Sequence, residues 1–489
     1  MSEGREGAYI PELRELELPK MDLISLFRQF GPGLILMMTG IGTSHLVTAP
    51  TAGGRFQFAL LWVVLVSYIF KYYGFQMAFR FTNATGHSIM DAMCTTRGKW
   101  AIWYVMIVTL AQQALGQSGR LVAAAAVMYF FCTDYLGWPF DLWHYSLFLG
   151  VIGVAILLFG RYEMLESVTK IFVIVLGATA FYVFFYNPPP ISSFKHFVIF
   201  DVPAGSFMII AAFLGLLPTG IDVSLQSSEW GKAKKAGLPF IRKTLEDNDL
   251  CGKFDPFNPD FDDIKLDINR LDSHTQEYVK RWFKIGNYDF AFGHWFSFII
   301  AAIFLFLAAM WMYPSDVSGR AVMGEIAKIF TVSVGPHMMF LFLLGAFAAC
   351  FSTAFNYFDG WPRVVGACCR NLFKKTNELS GIDEPSPEAR KKWYSEYNIY
   401  RITMVYSLVA SVAIIAGLPE PVFLVLAASA LALIIAPIVF FLNIWFCLKA
   451  INKDNKIFYP GKFALNFSWI SLAVYVVGTI LVFVKDILM

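Results

Sequence analysis

Long apolar runs separated by short polar stretches make up the chain from Phe30 almost to its last residue. A bilayer core of about 30 Å needs roughly 20 apolar residues for each helical span. Runs of that length predict about eleven transmembrane helices, near residues 30–51, 58–80, 102–131, 145–160, 164–186, 205–227, 289–313, 336–361, 399–417, 421–448 and 464–486. We therefore predict an all-α polytopic membrane protein.

Composition supports this fold class and excludes a soluble enzyme of ordinary kind. Hydrophobic residues make up 57% of the chain and charged residues 15%, whereas soluble domains carry about a quarter charged residues. Residues 1–29 are of mixed charge and lack the apolar segment of a signal peptide. We divide the chain into a cytoplasmic tail (1–29), helices 1–6 (30–227), a cytoplasmic insertion (228–286) and helices 7–11 (287–489).

The distribution of positive charge predicts an orientation. Lys and Arg are concentrated in alternate loops, whereas residues 132–144 on the opposite side contain none. The cationic side includes Arg80, Arg97, Lys99, Lys232, Lys234, Lys235, Arg242, Lys374, Lys375, Lys449 and Lys453. Because cytoplasmic loops are enriched in these residues, we predict a cytoplasmic N-terminus and an external C-terminus.

The insertion at residues 228–286 is polar and rich in aspartate. A calcium loop would need acidic ligands at alternate positions and an internal glycine, and residues 255–267 lack that spacing. We interpret the insertion as a solvated cytoplasmic loop. It is dispensable for transport on this interpretation, and it offers a possible surface for a cytoplasmic partner.

Two apolar spans are interrupted by residues that disfavour a membrane helix. Gly40 and Gly42 lie in the first span, and Gly215, Pro218 and Gly220 lie in the sixth. Backbone freed from helical hydrogen bonds survives at membrane depth only where it is buried in protein or lines a cavity. Breaks at matching places five spans apart are typical of an inverted repeat with its binding site near the midplane.

The two breaks supply the candidate substrate-binding residues. Unwound segments expose free carbonyl and N–H groups, so they can bind either a cation or an anionic group. Glycine and proline that merely kink packed helices would explain either break alone, but not the presence of a histidine and an aspartate at membrane depth. The candidates are Gly42, Thr43, Ser44, His45, Leu217, Thr219, Gly220, Asp222 and Ser224.

Further polar side chains lie within other spans. Lys71 is in the second span, and Gln117 and Arg120 are in the third. Charges at such depth are usually paired or functional, so these three residues are candidates for coupling. The alternative is that Lys71 and Arg120 extend toward the cytoplasmic interface.

The sequence around the first break resembles the Nramp family of metal-ion transporters. Gly31-Pro32-Gly33 and the later stretch Ala52-Gly53-Gly54, followed by Leu60-Leu61-Trp62, occur in the order found in that family. The resemblance implies a LeuT-like fold, that of the amino acid-polyamine-organocation transporters. Such a fold has two inverted five-helix halves with discontinuous helices 1 and 6, and here one extra helix.

The departures from the family pattern affect the expected substrate. The positions of the family's metal-binding aspartate, asparagine and methionine carry Gly42, His45 and Leu217 here, and Thr219 stands in place of a histidine. A thioether favours soft transition metals, so its loss removes the basis for such selectivity. Asp222 and His45 are the candidate metal ligands that remain. Proton coupling through acidic residues of the third span is not expected, because Gln117 and Arg120 lie there.

The leading hypothesis is a secondary transporter of a small cation, a divalent metal without soft-metal selectivity, working by alternating access. The alternative is a transporter of the same fold for an amino or carboxylic acid; the third is a membrane receptor or scaffold. A titration of affinity separates the first two, because acid weakens metal binding by His45 and strengthens binding of a carboxylate. Motifs of enzymes are missing from the sequence. We expect no enzymatic activity, no cofactor and no nucleic-acid partner. The expected partners are membrane lipid, a small ion or small-molecule substrate, and a cytoplasmic partner at residues 228–286.

Overall fold

The computed structural model describes residues 10–42, 44–159, 162–315, 324–327, 331, 335 and 338–488. Helices dominate these ranges. The α-helices are α1 (Pro11–Arg14), α2 (Leu23–Gln29), α3 (Pro32–Ile41), α4 (Ala49–Phe56), α5 (Leu61–Thr85), α6 (Ile89–Met93), α7 (Trp100–Ala111), α8 (Gln117–Tyr129), α9 (Leu142–Phe159), α10 (Tyr162–Tyr186), α11 (Phe207–Leu216), α12 (Val223–Ala233), α13 (Gly237–Asp247), α14 (Ser273–Trp311), α15 (Met338–Leu372), α16 (Lys374–Asn377), α17 (Glu396–Gly417), α18 (Pro421–Ala450) and α19 (Lys462–Leu488).

Each of the predicted apolar runs coincides with one helix or with a broken pair. By length and apolar composition, 7 helical segments of the described chain qualify as membrane spans, and 8 if the bent pair at residues 23–56 counts as one. The helical polytopic fold is confirmed, and the count of eleven spans stays a prediction.

The first and sixth spans are discontinuous, as predicted. α3 ends at Ile41, and the chain resumes at Ser44 with one π-helical turn, Ser44–Thr48, before α4. In the sixth span α11 ends at Leu216, Leu217 is extended, and α12 begins only at Val223. Pro218 has no N–H to donate within a helix, which explains why the sixth span opens there.

Glycines of the first span allow α3 and α4 to pack closely on α14. A Cβ atom at Gly33 would lie 2.5 Å from the Asp289 carbonyl carbon, and one at Gly53 would lie 2.6 Å from the Leu305 carbonyl oxygen. Small residues at helix contacts let backbones approach within a membrane. The glycines of the Gly31-Pro32-Gly33 and Ala52-Gly53-Gly54 motifs therefore permit the close packing of α3 and α4 on α14.

Asp289 of α14 also caps the start of α3. Its carboxylate accepts hydrogen bonds from the N–H groups of Gly31 (3.0 Å), Gly33 (2.8 Å) and Leu34 (3.0 Å). These N–H groups have no partner within the helix, and the positive end of the helix dipole favours an anion there. The beginning of the first span is thus anchored to α14.

The polar connection between the sixth and seventh spans is shorter and more ordered than predicted. α12 continues to Ala233 and α14 begins at Ser273, which leaves residues 234–272 between them. Within this connection Arg242 of α13 is buried and donates to the carbonyls of Thr85 (2.9 Å) and Gly252 (3.0 Å). α13 buries an apolar face formed by Leu238, Ile241 and Leu245, so this part of the connection is folded onto the protein. The cytoplasmic position of residues 228–286 stays a prediction.

Candidate functional site

The two helix breaks meet in the protein interior. A Cβ atom at Gly40, near the end of α3, would overlap the carbonyl of Pro218 in the sixth span. One residue beyond α3, the N–H of Gly42 donates to the Thr353 hydroxyl of α15 at 2.8 Å, and a Cβ atom at Gly42 would overlap that hydroxyl. Glycine at these positions allows the first break to contact both the sixth span and α15.

His45 links the first break to α5 and α14. Its Nδ1 lies 2.9 Å from the Ser44 hydroxyl and 3.1 Å from the Gly40 carbonyl. Its Nε2 lies 2.8 Å from the Tyr68 hydroxyl and 3.0 Å from the Ser297 hydroxyl. Both ring nitrogens therefore have protein partners in this conformation, and neither is free to bind a ligand.

Asp222 differs from His45 in having an unsatisfied oxygen. The side chain lies just before α12 and is only 6% exposed. The Trp361 indole N–H donates to Oδ2 at 3.3 Å, whereas Oδ1 is buried with no hydrogen-bond partner in the described chain. Since a buried unpaired carboxylate oxygen is costly, this atom marks a position for water or a cation.

Arg120 is held beside the Asp222 partners by aromatic rings. Its guanidinium carbon lies 3.8 Å from the ring centroid of Tyr357 and 4.8 Å from that of Trp361. Nη2 donates to the Tyr357 hydroxyl at 2.9 Å, which in turn lies 2.7 Å from the Thr219 hydroxyl. Arg120 is thus fixed within the site and does not extend to the membrane interface.

Lys71 is fully buried and contacts the sixth break from α5. Its ammonium group donates to the carbonyl oxygens of Gly215 at 2.7 Å and Thr219 at 2.8 Å. The charges of both Arg120 and Lys71 act on Asp222. Within the described ranges neither cation donates a hydrogen bond to that carboxylate, which accepts one from the Trp361 indole. The Lys71 contacts are also incompatible with extension toward the interface.

Four glutamines of the third and sixth spans are buried. The side-chain oxygen and nitrogen of Gln112, Gln113 and Gln226 are all buried without partners among the described residues. Gln117 donates to the Ala354 carbonyl at 2.9 Å, and its oxygen is unpaired. Gln112 and Gln113 begin a π-helical turn, a feature common at functional sites.

Gln226 was missed by the sequence reasoning. Asp222 immediately precedes α12 and Gln226 lies one turn further on, and that spacing of four residues is a signal the sequence contained. A polar pair at membrane depth, one turn apart, is unusual enough to suggest a shared site.

The remaining candidates from the two breaks do not all face the same region. A Cβ atom at Gly220 would overlap Asp222 Oδ1, so glycine keeps space for the carboxylate. Ser224 accepts a hydrogen bond from the Asn443 amide at 2.7 Å and therefore contacts α18. Leu217 is completely buried, and Thr43 lies outside the described residues.

The site offers hard oxygen ligands. Within the described ranges, there is no group of three or more His, Cys, Asp or Glu side chains placed to hold a metal ion. Near Asp222 the potential ligands are one carboxylate, side-chain amides and the carbonyls of an unwound segment. Such groups suit hard cations that retain water, and not soft transition metals.

A fold of discontinuous helices meeting at a polar centre defines a class of membrane transporters. The sequence model of the family described as natural resistance-associated macrophage protein-like, Nramp, matches residues 33–485. The chain belongs to the Nramp family.

Sequence and structure comparisons give distant relatives. An uncharacterized protein of Pasteurella multocida is 21% identical over 363 residues, which cover 71% of this chain and 72% of that protein. The H236A mutant of a manganese transporter from Eremococcus coleocola has a TM-score of 0.65 and 12% identity, covering 96% of this chain and 88% of that one. Mhp1, a nucleobase-cation-symport-1 family transporter, has a TM-score of 0.53 and 13% identity, covering 93% and 88%. These structures share the fold.

Proposed function

We propose that the protein is a secondary transporter of a small divalent cation, bound with part of its water at Asp222 and moved by alternating access. The observation that carries the proposal is the unpaired, buried Oδ1 of Asp222 at the break of the sixth span. Membership of the Nramp family and the fold shared with a manganese transporter support it.

The ligands around Asp222 favour a hydrated ion. The carboxylate supplies one negative charge, and the Gln112 and Gln226 amides can each accept from and donate to water. Mg²⁺ in particular dehydrates reluctantly and is often held through one or two carboxylates and several waters. Leu217 supplies no soft donor, so we expect no special preference for Mn²⁺ over Mg²⁺.

The neighbouring cations limit the affinity of this site. Lys71 and Arg120 both act on Asp222, and a dication at Oδ1 would be repelled by both. A site of this kind binds weakly and suits a cation that is abundant on the side from which it is taken up.

His45 is not a ligand of the ion in this conformation. In the present conformation it stabilises the first break through Tyr68 and Ser297. It becomes a metal ligand only in a conformation where Nε2 exchanges these hydroxyls for the ion. We therefore assign the ion first to Asp222, and to His45 only in another state of the cycle.

A binding screen on the purified protein tests the proposal. Thermal stability is measured with Mg²⁺, Ca²⁺, Mn²⁺, and a panel of amino and carboxylic acids, because a ligand that binds only the native state raises stability. We expect all three divalent ions to stabilise the protein, with concentration dependences that follow the ordinary order for oxygen ligands. Stabilisation by an amino or carboxylic acid alone would favour the organic-solute transporter, and no response to any ligand would favour a receptor or scaffold.

We also propose that the N-terminus and the insertion at residues 228–286, which includes Ser273, are cytoplasmic and that the C-terminus is external. The concentration of Lys and Arg in the connected loops supports this orientation. A single cysteine introduced at Ser273 should resist an impermeant thiol reagent applied to intact cells and react after permeabilisation. Labelling from outside would reverse the topology.

A further inference from the structure

Lys71 lies at the sixth break, and the proposed cation site at Asp222 gives this buried lysine no role. Its side chain is completely buried. The ammonium group donates to the Gly215 and Thr219 carbonyls and lies 5.6 Å from the ring centroid of Tyr475 on α19. The three groups contact the cation from the end of α11, the unwound segment and a neighbouring helix.

The break itself creates the need for a cation here. In a continuous α-helix the Gly215 carbonyl would accept from the N–H of residue 219. The helix ends before that bond can form, so the carbonyl is left at the negative end of the α11 dipole. Unwound carbonyls at such half-helix ends are ligands for small cations in transporters with broken helices.

A lysine ammonium suits this position chemically. It is a compact charge with three donors, and the two carbonyl oxygens lie at ordinary hydrogen-bond distances. The hydrogen bonds that the Lys71 ammonium makes go to these two carbonyl oxygens, and the Asp222 carboxylate is not among its described hydrogen-bond partners.

We propose that the Lys71 ammonium is a tethered cation that permanently fills a small cation site made by the Gly215 and Thr219 carbonyls. The protein then needs no dissolved monovalent ion, such as Na⁺ or K⁺, to stabilise the sixth break. Removal of the side chain exposes the site, and a small monovalent cation or alkylammonium ion from solution can replace the lost charge. This inference does not depend on which substrate the protein carries.

A pair of variants separates a cation site from simple packing. Lys71→Ala leaves the space open, whereas Lys71→Met fills it with an apolar chain of similar length. The thermal stability of both variants and of the native protein is measured in NaCl, KCl, ethylammonium chloride and N-methylglucamine chloride at equal ionic strength. Since stability is the readout, the result stands apart from the choice of substrate at Asp222.

We expect Lys71→Ala to be destabilised and to recover at least half of the lost melting temperature in one of the small cations. N-methylglucamine, which is too large for the site, should have no such effect. The melting temperature of Lys71→Met should not depend on which of the four salts is present, and the same should hold for the native protein. Equal behaviour of the two variants would overturn the proposal. If Lys71→Ala does not fold, the native protein decides the matter, because a native stability that depends on Na⁺ or K⁺ contradicts a permanently filled site.

Discussion

The first and sixth spans are broken at the same depth of the fold, but their polar side chains are used differently. In the first break both nitrogens of His45 are hydrogen-bonded to protein groups. In the sixth break one oxygen of Asp222 has no partner in the described chain. A satisfied polar group stabilises the break that carries it, whereas an unsatisfied one requires a ligand. This difference is the basis on which we propose structural support for the first break and ligand binding for the sixth.

Gly42→Asp should have the largest effect, because it introduces a side chain into the closed first break. A Cβ atom there would overlap the Thr353 hydroxyl, and overpacking of an interior typically costs about 1–3 kcal/mol. We expect a lower melting temperature and lower yield. Thr353→Ala should restore little, because the Thr353 Cβ atom and the Ala349 carbonyl oxygen would lie 2.6 Å and 2.9 Å from the added Cβ atom. Restoring the family's aspartate together with Leu217→Met should add transition-metal binding in the protein that folds. If Gly42→Asp alone were as stable as the native protein, the first break would have space for a side chain at this position.

Asp222→Asn tests the open break directly. The substitution preserves shape and removes the negative charge, so we expect transport to fall at least about tenfold with the fold intact. Ser224→Ala is the matched control, since Ser224 contacts Asn443 and not the site. Uptake into proteoliposomes and melting temperature are measured together. Native uptake by Asp222→Asn would remove the carboxylate from the transport site.

His45→Gln should affect stability more than binding. Replacing the imidazole disrupts buried hydrogen bonds to Tyr68 and Ser297, and each such bond contributes about 1 kcal/mol. Because both ring nitrogens are hydrogen-bonded to the protein in this conformation, we expect cation affinity in this state to change little, with the same dependence on pH from about 5.5 to 8 in both proteins. Weaker binding in acid that disappears in His45→Gln would instead identify the imidazole as a metal ligand.

In contrast to His45→Gln, the double variant Gln112→Leu with Gln226→Leu should reduce transport and leave stability nearly unchanged. The four polar atoms lost are unpaired in the described structure, so their removal costs little stability. Uptake should fall several-fold, because the amides no longer solvate the ion near Asp222. Gln76→Leu is the control: Gln76 donates to Asn287 at 2.9 Å and should lose stability. A double variant with full uptake would exclude the amides from the path.

The smallest effect is expected at His87, which lies outside the spans. Its ring is 3.4 Å from Asp91 and 3.6 Å from Glu246, yet burial lowers the pKa of His87 from its ordinary value. The unfolded chain therefore binds a proton at a higher pH than the folded protein does. Stability conferred by the neutral ring is present above about pH 6.5 and is lost as the pH falls below it. Between pH 7.5 and 5 the melting temperature should fall less with pH in His87→Gln than in the native protein. An equal fall in both proteins would show that His87 does not contribute to the pH dependence of stability.

The sequence predicted the features that depend on local composition. Apolar run length located the helices, and glycine and proline located both breaks. Asp222 was singled out as a candidate, because a carboxylate at membrane depth is unusual whatever its neighbours; its role stays a prediction. The partners of His45 were not predictable, since Ser297 is 252 residues away and hydrophobic patterns do not specify which buried groups meet. The clash at Gly42 likewise depends on Thr353, 311 residues further along the chain.

The folded connection at residues 234–272 was missed for a different reason. The high content of aspartate there obscured the short apolar face of α13, and the buried contacts of Arg242 go to carbonyl groups that no sequence pattern distinguishes.

The anchoring of α3 by Asp289 has a mechanical consequence. Three hydrogen bonds from the start of α3 to one carboxylate of α14, with glycine contacts beside them, make the two segments a single lever. Rotation of the first half-helix should then carry the adjoining part of α14 with it. Spin labels on α3 and on α14 near Asp289 should keep a constant separation when substrate is added. Asp289→Asn should loosen the lever and broaden the distribution of this distance.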